Sequence, residues 1–405
     1  MAPWIAKPLA QWAIKLLKKR VGGGYLANSI WLMVFICSGF SGGYYGNHFF
    51  EKLWKYRKPI VEAIVKHLPF DIGGGGSTPV PASSGSVAVY FTQPGDKAME
   101  PGNIAQKLAG YIDQTKESID VCAFELDNKV IVDALVKAVN RGVHVRLVTE
   151  TDYINESGVT ALKAVNVPVV DDQRDGALMH NKFMIFDQKR LWTGSMNFTE
   201  NCAYKNNNHG LYIENELLAQ NYITKFKWMF EKHKFGGLPS KEDHIPNPKV
   251  TLTDGTPVEN YFSTHDRPAN YVMDVLGNTK KSIHFMAFSF THDGIGQIML
   301  DKAKAGLDVQ GVFEKSQSTG SHSEYTRMHD AKLPVYLDGN SRNMHHKVII
   351  IDGEIVVCGS FNFSKSANES NDENLLIIYN RAVAAQFEAE YQKVLGVAKA
   401  AQSTQ

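Results

Sequence analysis

Cysteine is scarce in this chain, and nothing organises it. Four occur in 405 residues, Cys37, Cys122, Cys202 and Cys358, and none stands at the short spacing of a zinc or dithiol motif. No disulfide framework is legible; the four read as buried thiols, compatible with either redox compartment. Net charge is missing as well, since 43 basic and 42 acidic residues leave +1. A protein that grips nucleic acid through its overall field is strongly basic, so a polyanionic substrate would have to be held by a local groove. A nucleotide-cradling loop is also absent. The glycine run Gly73–Gly76 is followed by Ser77-Thr78-Pro79, not by the Gly-Lys-Ser/Thr that such a loop needs.

Charge itself disappears from Val21 to Phe50, where no Asp, Glu, Lys or Arg occurs. The most apolar part, Tyr25–Phe40 with its extension to Tyr45, approaches the ~20 residues that cross a bilayer. Ahead of it Ile5, Leu9, Trp12 and Leu16 form one helical stripe flanked by Lys15, Lys18, Lys19 and Arg20, a pattern suited to an anionic membrane surface. The expectation is a basic leader and single-pass anchor over 1–72 and a Gly/Ser/Pro tether over 73–86. A cleaved signal peptide, a buried core helix and a transit peptide are the alternatives. Five basic residues precede the span and five follow it within Lys52–Lys66, so charge does not orient it. A lone anchor with a basic leader favours a body outside the cytoplasm, periplasmic or luminal. Residues 73–405 hold 33 basic and 39 acidic residues, a formal charge of −6.

After the tether the sequence reads the same way twice. Tyr90-Phe91-Thr92 returns as Tyr261-Phe262-Ser263, Lys116-Glu117-Ser118-Ile119 as Lys280-Lys281-Ser282-Ile283, and Ala123-Phe124 as Ala287-Phe288. Two copies of one unit are expected, at 87–245 and 246–400. Within the first, apolar Ser118–Phe124 predicts a strand, Val130–Asn140 a helix and Val143–Val148 a second strand; Ser282–Phe290, Ile295–Ala305 and Leu307–Phe313 repeat the series. Such alternation places helices on the faces of sheets, so the fold class is α/β, two similar α/β/α lobes with mixed sheets related by a pseudo-twofold axis.

The chemistry lies in a motif that is also doubled. His180-x-Lys182, Asp187 and Gly194-Ser195-x-Asn197 recur with identical internal spacing as His345-x-Lys347, Asp352 and Gly359-Ser360-x-Asn362. At roughly one in twenty per position, chance yields even one copy in about 10⁵ chains of this length. In a strand, His180 and Lys182 share a face. An imidazole and an ammonium together suit a phosphate: lysine supplies charge, one histidine attacks and the other protonates the departing oxygen. Ser195, Asn197, Ser360 and Asn362 are candidate neutral donors to the non-bridging oxygens. Asp187 and Asp352 are candidate catalytic groups, with anchoring of the strand-to-turn geometry equally open. His346 points to the opposite face and reads as structural, as do Trp192 and Met196. Zinc on His180 and His345 lacks a third ligand at suitable spacing.

These residues resemble the HKD motif of the phospholipase D superfamily. The resemblance implies a bilobal α/β body with one active site at the junction of the halves, and a phosphodiesterase that works through phosphohistidine without metal or other cofactor. It also implies an acid eleven residues past each motif asparagine, supporting the histidine of the opposite half. Glu373 fills that position in the second copy; Asn208 occupies it in the first. On that pattern Glu373 supports His180 as nucleophile and leaves His345 as general acid. Asn208 has a blander reading too, a half that has partly decayed.

Nucleic acid is the expected substrate. The Asn-Phe-Thr and Asn-Phe-Ser sequences at Asn197 and Asn362 look like those of the family's endonuclease-like members, and neither half has a long insertion. A membrane phospholipid is the alternative, handled by a phospholipase D or cardiolipin synthase-like enzyme that the anchor would bring to its headgroups. A phosphate-binding module without catalysis is a third reading. No obligate protein partner is implied.

Overall fold

The computed structural model describes residues 87–95, 98–237, 244–320 and 322–403. The leader, anchor and tether expected over 1–86 lie outside them. Among the described residues no helix is long and apolar enough to cross a membrane.

The first half forms one mixed sheet from β1 (Val87–Phe91), β2 (Ser118–Ala123), β3 (His144–Thr149), β4 (Val169–Asp171), β5 (Lys182–Phe186), β6 (Arg190–Gly194) and β7 (His209–Glu214). Its order is β1-β7-β6-β5-β2-β3-β4. Strands β2, β3 and β4 run parallel, joined by helical crossovers, and the remainder pair antiparallel. The second half contributes β8 (Lys249–Thr251), β9 (Pro257–Phe262), β10 (Ser282–Ala287), β11 (Asp308–Phe313), β12 (Val335–Leu337), β13 (Lys347–Ile351), β14 (Ile355–Gly359) and β15 (Asn374–Tyr379). Its order, β12-β11-β10-β13-β14-β15-β9-β8, is the first sheet repeated with one strand added.

Local sequence explains the elements. Helix Lys129–Asn140 starts where the Asn128 side chain accepts the Ile131 N–H at 3.1 Å, which satisfies a donor the first turn leaves open. It buries Ile131, Val132, Leu135 and Ala138 along one stripe. It stops at Gly142, whose φ of +88° an L side chain rarely adopts. Strand β10 ends at Ala287, three residues short of the sequence expectation, because the chain turns there to lay Phe288 on His345, 4.6 Å between ring centroids.

Alternation in the two motif strands divides the cores. Phe183 and Ile185, with Val348 and Ile350, enter a core that both halves share with helices Glu216–Phe230 and Arg381–Ser403. Met184 and Phe186 enter the first half's outer core, and Ile349 and Ile351 the second's. Buried on both faces, β5 and β13 cannot slip register without exposing apolar side chains worth ~1.5–3 kcal/mol each. Those two strands carry the motif lysines.

Candidate active site

Each motif histidine sits just before its strand, tied to the opposite half by backbone. The His180 N–H donates to Asp372 O at 3.0 Å, and the His345 N–H to Asn207 O at 2.9 Å. The segment just before β15 therefore meets the first motif, and the segment just before β7 meets the second. That crossing delivers one side chain to each imidazole. Nδ1 of His180 lies 2.8 Å from Glu373 Oε2, and Nδ1 of His345 lies 2.8 Å from Asn208 Oδ1. Both Nδ1 atoms are thus engaged, and Nε2 is the other nitrogen of each ring.

Lys182 and Lys347 are buried, each donating to the carbonyl of its own motif histidine at 2.5 and 3.0 Å. Each ammonium also lies over a phenyl ring, Phe124 at 4.8 Å and Phe288 at 4.7 Å. The same rings pack edge-on against the two imidazoles. Burial brings Lys182 down to about 8, partly offset by Glu373 and Glu125. Burial and then Lys182 push Lys347 well below its ordinary value. Burial, Lys182 and Lys347 do the same to His180; burial, Lys347, Lys182 and His180 do so to His345. Burial raises Glu373 to about 8 against the pull of Lys182, the Ser360 hydroxyl and Lys347. Burial thus acts against charge on both members of the pair, the His180 ring and the Glu373 carboxyl.

The serines hold the orienting groups. Ser360 Oγ donates to Glu373 Oε2 at 2.6 Å and accepts the Asn374 N–H at 3.0 Å. Ser195 Oγ donates to Asn208 Oδ1 at 2.9 Å and accepts the His209 N–H at 3.1 Å. The sequence reading made them donors to phosphate, but each hydroxyl proton is already spent on the group behind an imidazole. The Oδ1 atoms of Asn197 and Asn362 are buried without a hydrogen-bond partner, and the amide of Asn197 is already donated to Glu125, so of the two asparagines Asn362 is the one left for that role.

Asp187 and Asp352 are not brought to the histidines. Each stands at the far end of its strand from the motif lysine, about 16 Å away at 3.3 Å per residue. Asp187 accepts the N–H groups of Lys116, Glu117 and Ser118 and pairs with Arg190. Asp352 accepts those of Lys280, Lys281 and Ser282. Burial opposes their charge, but these bonds win and hold both carboxyls below the usual range. Of the two readings left open for them, the structure supports the turn anchor.

Phe198 and Phe363 are buried in the outer cores, and Thr199 and Ser364 cap the next helices by accepting Cys202 N–H and Ala367 N–H. The aromatic-hydroxyl pair that suggested a nuclease is thus structural. Trp192 and Met196 are core residues, and Cys122, Cys202 and Cys358 are buried free thiols; Cys37 lies outside the described residues. His346 stacks on His209, with 3.1 Å between their Nδ1 atoms. The equivalent place in the pseudo-symmetric arrangement holds Asn181 and Asn374, bonded at 3.0 Å.

Sequence reasoning missed Glu150 and Glu314. Each carboxylate accepts the N–H of the residue before a motif histidine, Met179 and Met344, both at 2.7 Å. Burial raises Glu150 to about 7. The signal was available, since both follow the second parallel strand at the repeat offset, an acid where a buried strand ends.

A family model described as "Cardiolipin synthase, PLD-like domain" matches the chain twice, over residues 108–230 and 272–395. The mitochondrial cardiolipin hydrolase of Homo sapiens is 31% identical over 134 residues, 32% of this chain and 53% of that protein. A phospholipase D of Rickettsia conorii is 31% identical over 134 residues, 33% of this chain and 66% of that protein. The matches thus span about half to two thirds of these curated relatives. A phosphatidylserine synthase structure from Haemophilus influenzae aligns over 75% of this chain and 85% of its own, with a TM-score of 0.56 at 13% identity, a likeness of fold alone. Two family matches at the repeat offset, each enclosing one motif, establish that the chain belongs to the PLD-like family, with two copies of the domain in one polypeptide.

Proposed function

We propose that the body hydrolyses phosphodiesters through a covalent intermediate on His180, with nucleic acid as substrate. The observation that carries the chemistry is the crossed pairing, His180 with Glu373 and His345 with Asn208. Lys182 and Lys347 meet the charge of the phosphate, and the Asn362 amide serves a non-bridging oxygen. The His180 Nε2 lone pair forms a bond to phosphorus, the bond to the leaving oxygen breaks, and His345 gives that oxygen its proton. The imidazole becomes a phosphorylated cation, and the Glu373 carboxylate behind it stabilises that charge. His345, now neutral, takes a proton from water; the water oxygen bonds to phosphorus and the P–N bond returns its electrons to His180. A bound phosphate offsets the lysine field on His345 and lets it recover a proton for the first step.

Nucleic acid is favoured by the missing apolar surface. Among the described residues only Met99, Leu217 and Val397 are exposed large apolar side chains, and none belongs to either motif, so no large exposed apolar side chain of the described residues stands at the motifs to bed acyl chains. The lipid reading has its own support in the names of the relatives, cardiolipin hydrolase and phospholipase D. It also draws on the charge-free stretch Val21–Phe50, which on this proposal anchors the body at a membrane.

The test incubates the full chain in detergent and EDTA with labelled DNA, RNA and phosphatidylglycerol or cardiolipin vesicles. Nucleic-acid cleavage lost in His180→Ala and in His345→Ala supports the proposal. Lipid turnover with intact nucleic acid replaces the substrate, and turnover that survives both substitutions removes the mechanism.

A further inference from the structure

The two halves match at the phosphate site but not at its rim. Ala123 pairs with Lys182 and Ala287 with Lys347 across the sheets, so the segments beginning at Phe124 and Phe288 lie at the catalytic end. Glu125 and Asp127 of the first half correspond to Ser289 and Thr291 of the second. Matching bonds fix the correspondence: Asp127 N–H to Phe198 O, and Thr291 N–H to Phe363 O. The helix beyond each motif asparagine opens with Glu200 in one half and Lys365 in the other. Asp127 accepts the Glu200 N–H and Glu200 the Lys129 N–H, so the difference that reaches the site is Glu125 against Ser289.

Glu125 is built into the site. Its carboxylate accepts the Asn197 amide, and the adjacent Phe124 ring lies 4.9 Å from the His180 ring. A carboxylate can take only the N–H side of an amide, which fixes which way Asn197 is turned. Asn197 is 5% exposed, and its Oδ1 is buried with no partner. The His180 side therefore offers a carboxylate with lone pairs to spare beside the unsatisfied Asn197 oxygen, where the second half has Ser289 and the matching Asn362 oxygen. Both groups on the His180 side are acceptors. A further phosphate group has no proton to give them and is repelled, whereas a sugar hydroxyl satisfies them.

The geometry points to specificity for a strand end: a terminal nucleoside with a free sugar hydroxyl sits against Glu125 and Asn197, while the remaining phosphates run over the second half's rim. This deepens the nucleic-acid reading and rests on it. His180 attacks the last phosphodiester, and the rest of the strand departs with its oxygen protonated by His345. The terminal nucleoside stays esterified to the phosphoryl group on His180 until water frees it as a mononucleotide. The acidic composition of the body fits this arrangement, since only one side of the site must accept a polyanion.

The full chain is given circular and linear single-stranded DNA of one sequence, and linear strands with hydroxyl or phosphate at each end. The expected result is stepwise mononucleotide release from one end, with the circle and the phosphate-blocked end each at least tenfold slower. In Glu125→Ser, which copies the second half, the hydroxyl-to-phosphate rate ratio falls to within threefold; Glu125→Gln keeps the shape of the side chain and is expected to move the ratio the same way. A circle cut as fast as the linear strand overturns the inference, as does an unchanged ratio in both variants. If the wild-type chain turns over lipid and no nucleic acid, the substrate reading fails and this inference with it.

Discussion

The halves share strand order, motif and turn anchors, yet the group behind each catalytic imidazole differs. Glu373 carries an ionisable carboxyl to His180; Asn208 carries a neutral amide to His345 at the same 2.8 Å. Even the serine beneath is repeated, Ser360 under the acid and Ser195 under the amide. On the proposed mechanism one ring tolerates a full positive charge while phosphorylated, and a carboxylate helps it do so. On the same mechanism the other loses and regains a proton within each cycle, and a fixed carboxylate would hold that proton too firmly. The largest test of this division removes the rings. His180→Ala is expected to lose at least ~10⁴-fold in kcat. His345→Ala should lose as much on an alkyl leaving group and far less on p-nitrophenolate, which departs without a proton. Mass spectrometry of the acid-labile phosphoenzyme should then find phosphate on His180 in His345→Ala. Phosphate on His345 in the wild-type chain would invert the roles.

Exchanging the supporting groups comes next. Glu373→Gln keeps the hydrogen bond and removes the carboxylate, and is expected to cost about 10²-fold in kcat. Asn208→Asp gives both rings an acid and is expected to cost about tenfold, with the rate maximum moved to higher pH because His345 releases its proton later. Equal kcat for wild type and Glu373→Gln would mean that the difference between the halves is not functional.

Much of this site was legible in the sequence, because the duplication supplies an internal alignment. The motif histidines and lysines, and Glu373 opposite Asn208, follow from spacing and family resemblance, and the two sheets follow from the strand–helix–strand pattern. Orientation of individual side chains was not legible. Spacing shows that Ser195 and Ser360 are near the site but cannot show that each hydroxyl points backward, to Asn208 or Glu373. It cannot separate Asp187 from a catalytic acid either, because that depends on three backbone N–H groups seventy residues away in sequence. Glu150 and Glu314 were missed because isolated acids at strand ends are common, and only the fold places them under Met179 and Met344.

A smaller effect concerns pH. Lys182 must be charged to meet phosphate, so kcat/KM should fall as pH rises through about 8. Stability carries a second signature. The Glu373 carboxyl titrates near about 8 when folded and at ~4.3 in an unfolded chain. Between those values the folded state holds the extra proton, so this group's contribution is full below the unfolded value and is lost as pH rises through about 8. The urea midpoint of Glu373→Gln should therefore decline less between pH 5.5 and 8.5 than that of the wild type. Parallel declines would show that Glu373 is already ionised throughout that range.

The finest test uses positions where the halves agree. Asp187 and Asp352 each pin a turn by accepting three successive backbone N–H groups, with φ of +50° and +56°. Neither touches a motif histidine, so Asp187→Asn and Asp352→Asn should keep kcat within about threefold while each lowers stability by ~1–3 kcal/mol, the usual cost of weakening charge-assisted bonds to buried donors. Arg190 pairs with Asp187, whereas Ile355 opens the matching strand in the second half. Asp187→Asn also strands that guanidinium, so it should cost more than Asp352→Asn by ~0.5 kcal/mol, the scale of a partly exposed ion pair. Urea unfolding of the two variants with kcat measured on the same samples reads both quantities. A hundredfold loss of kcat in either variant would return these aspartates to the catalytic machinery.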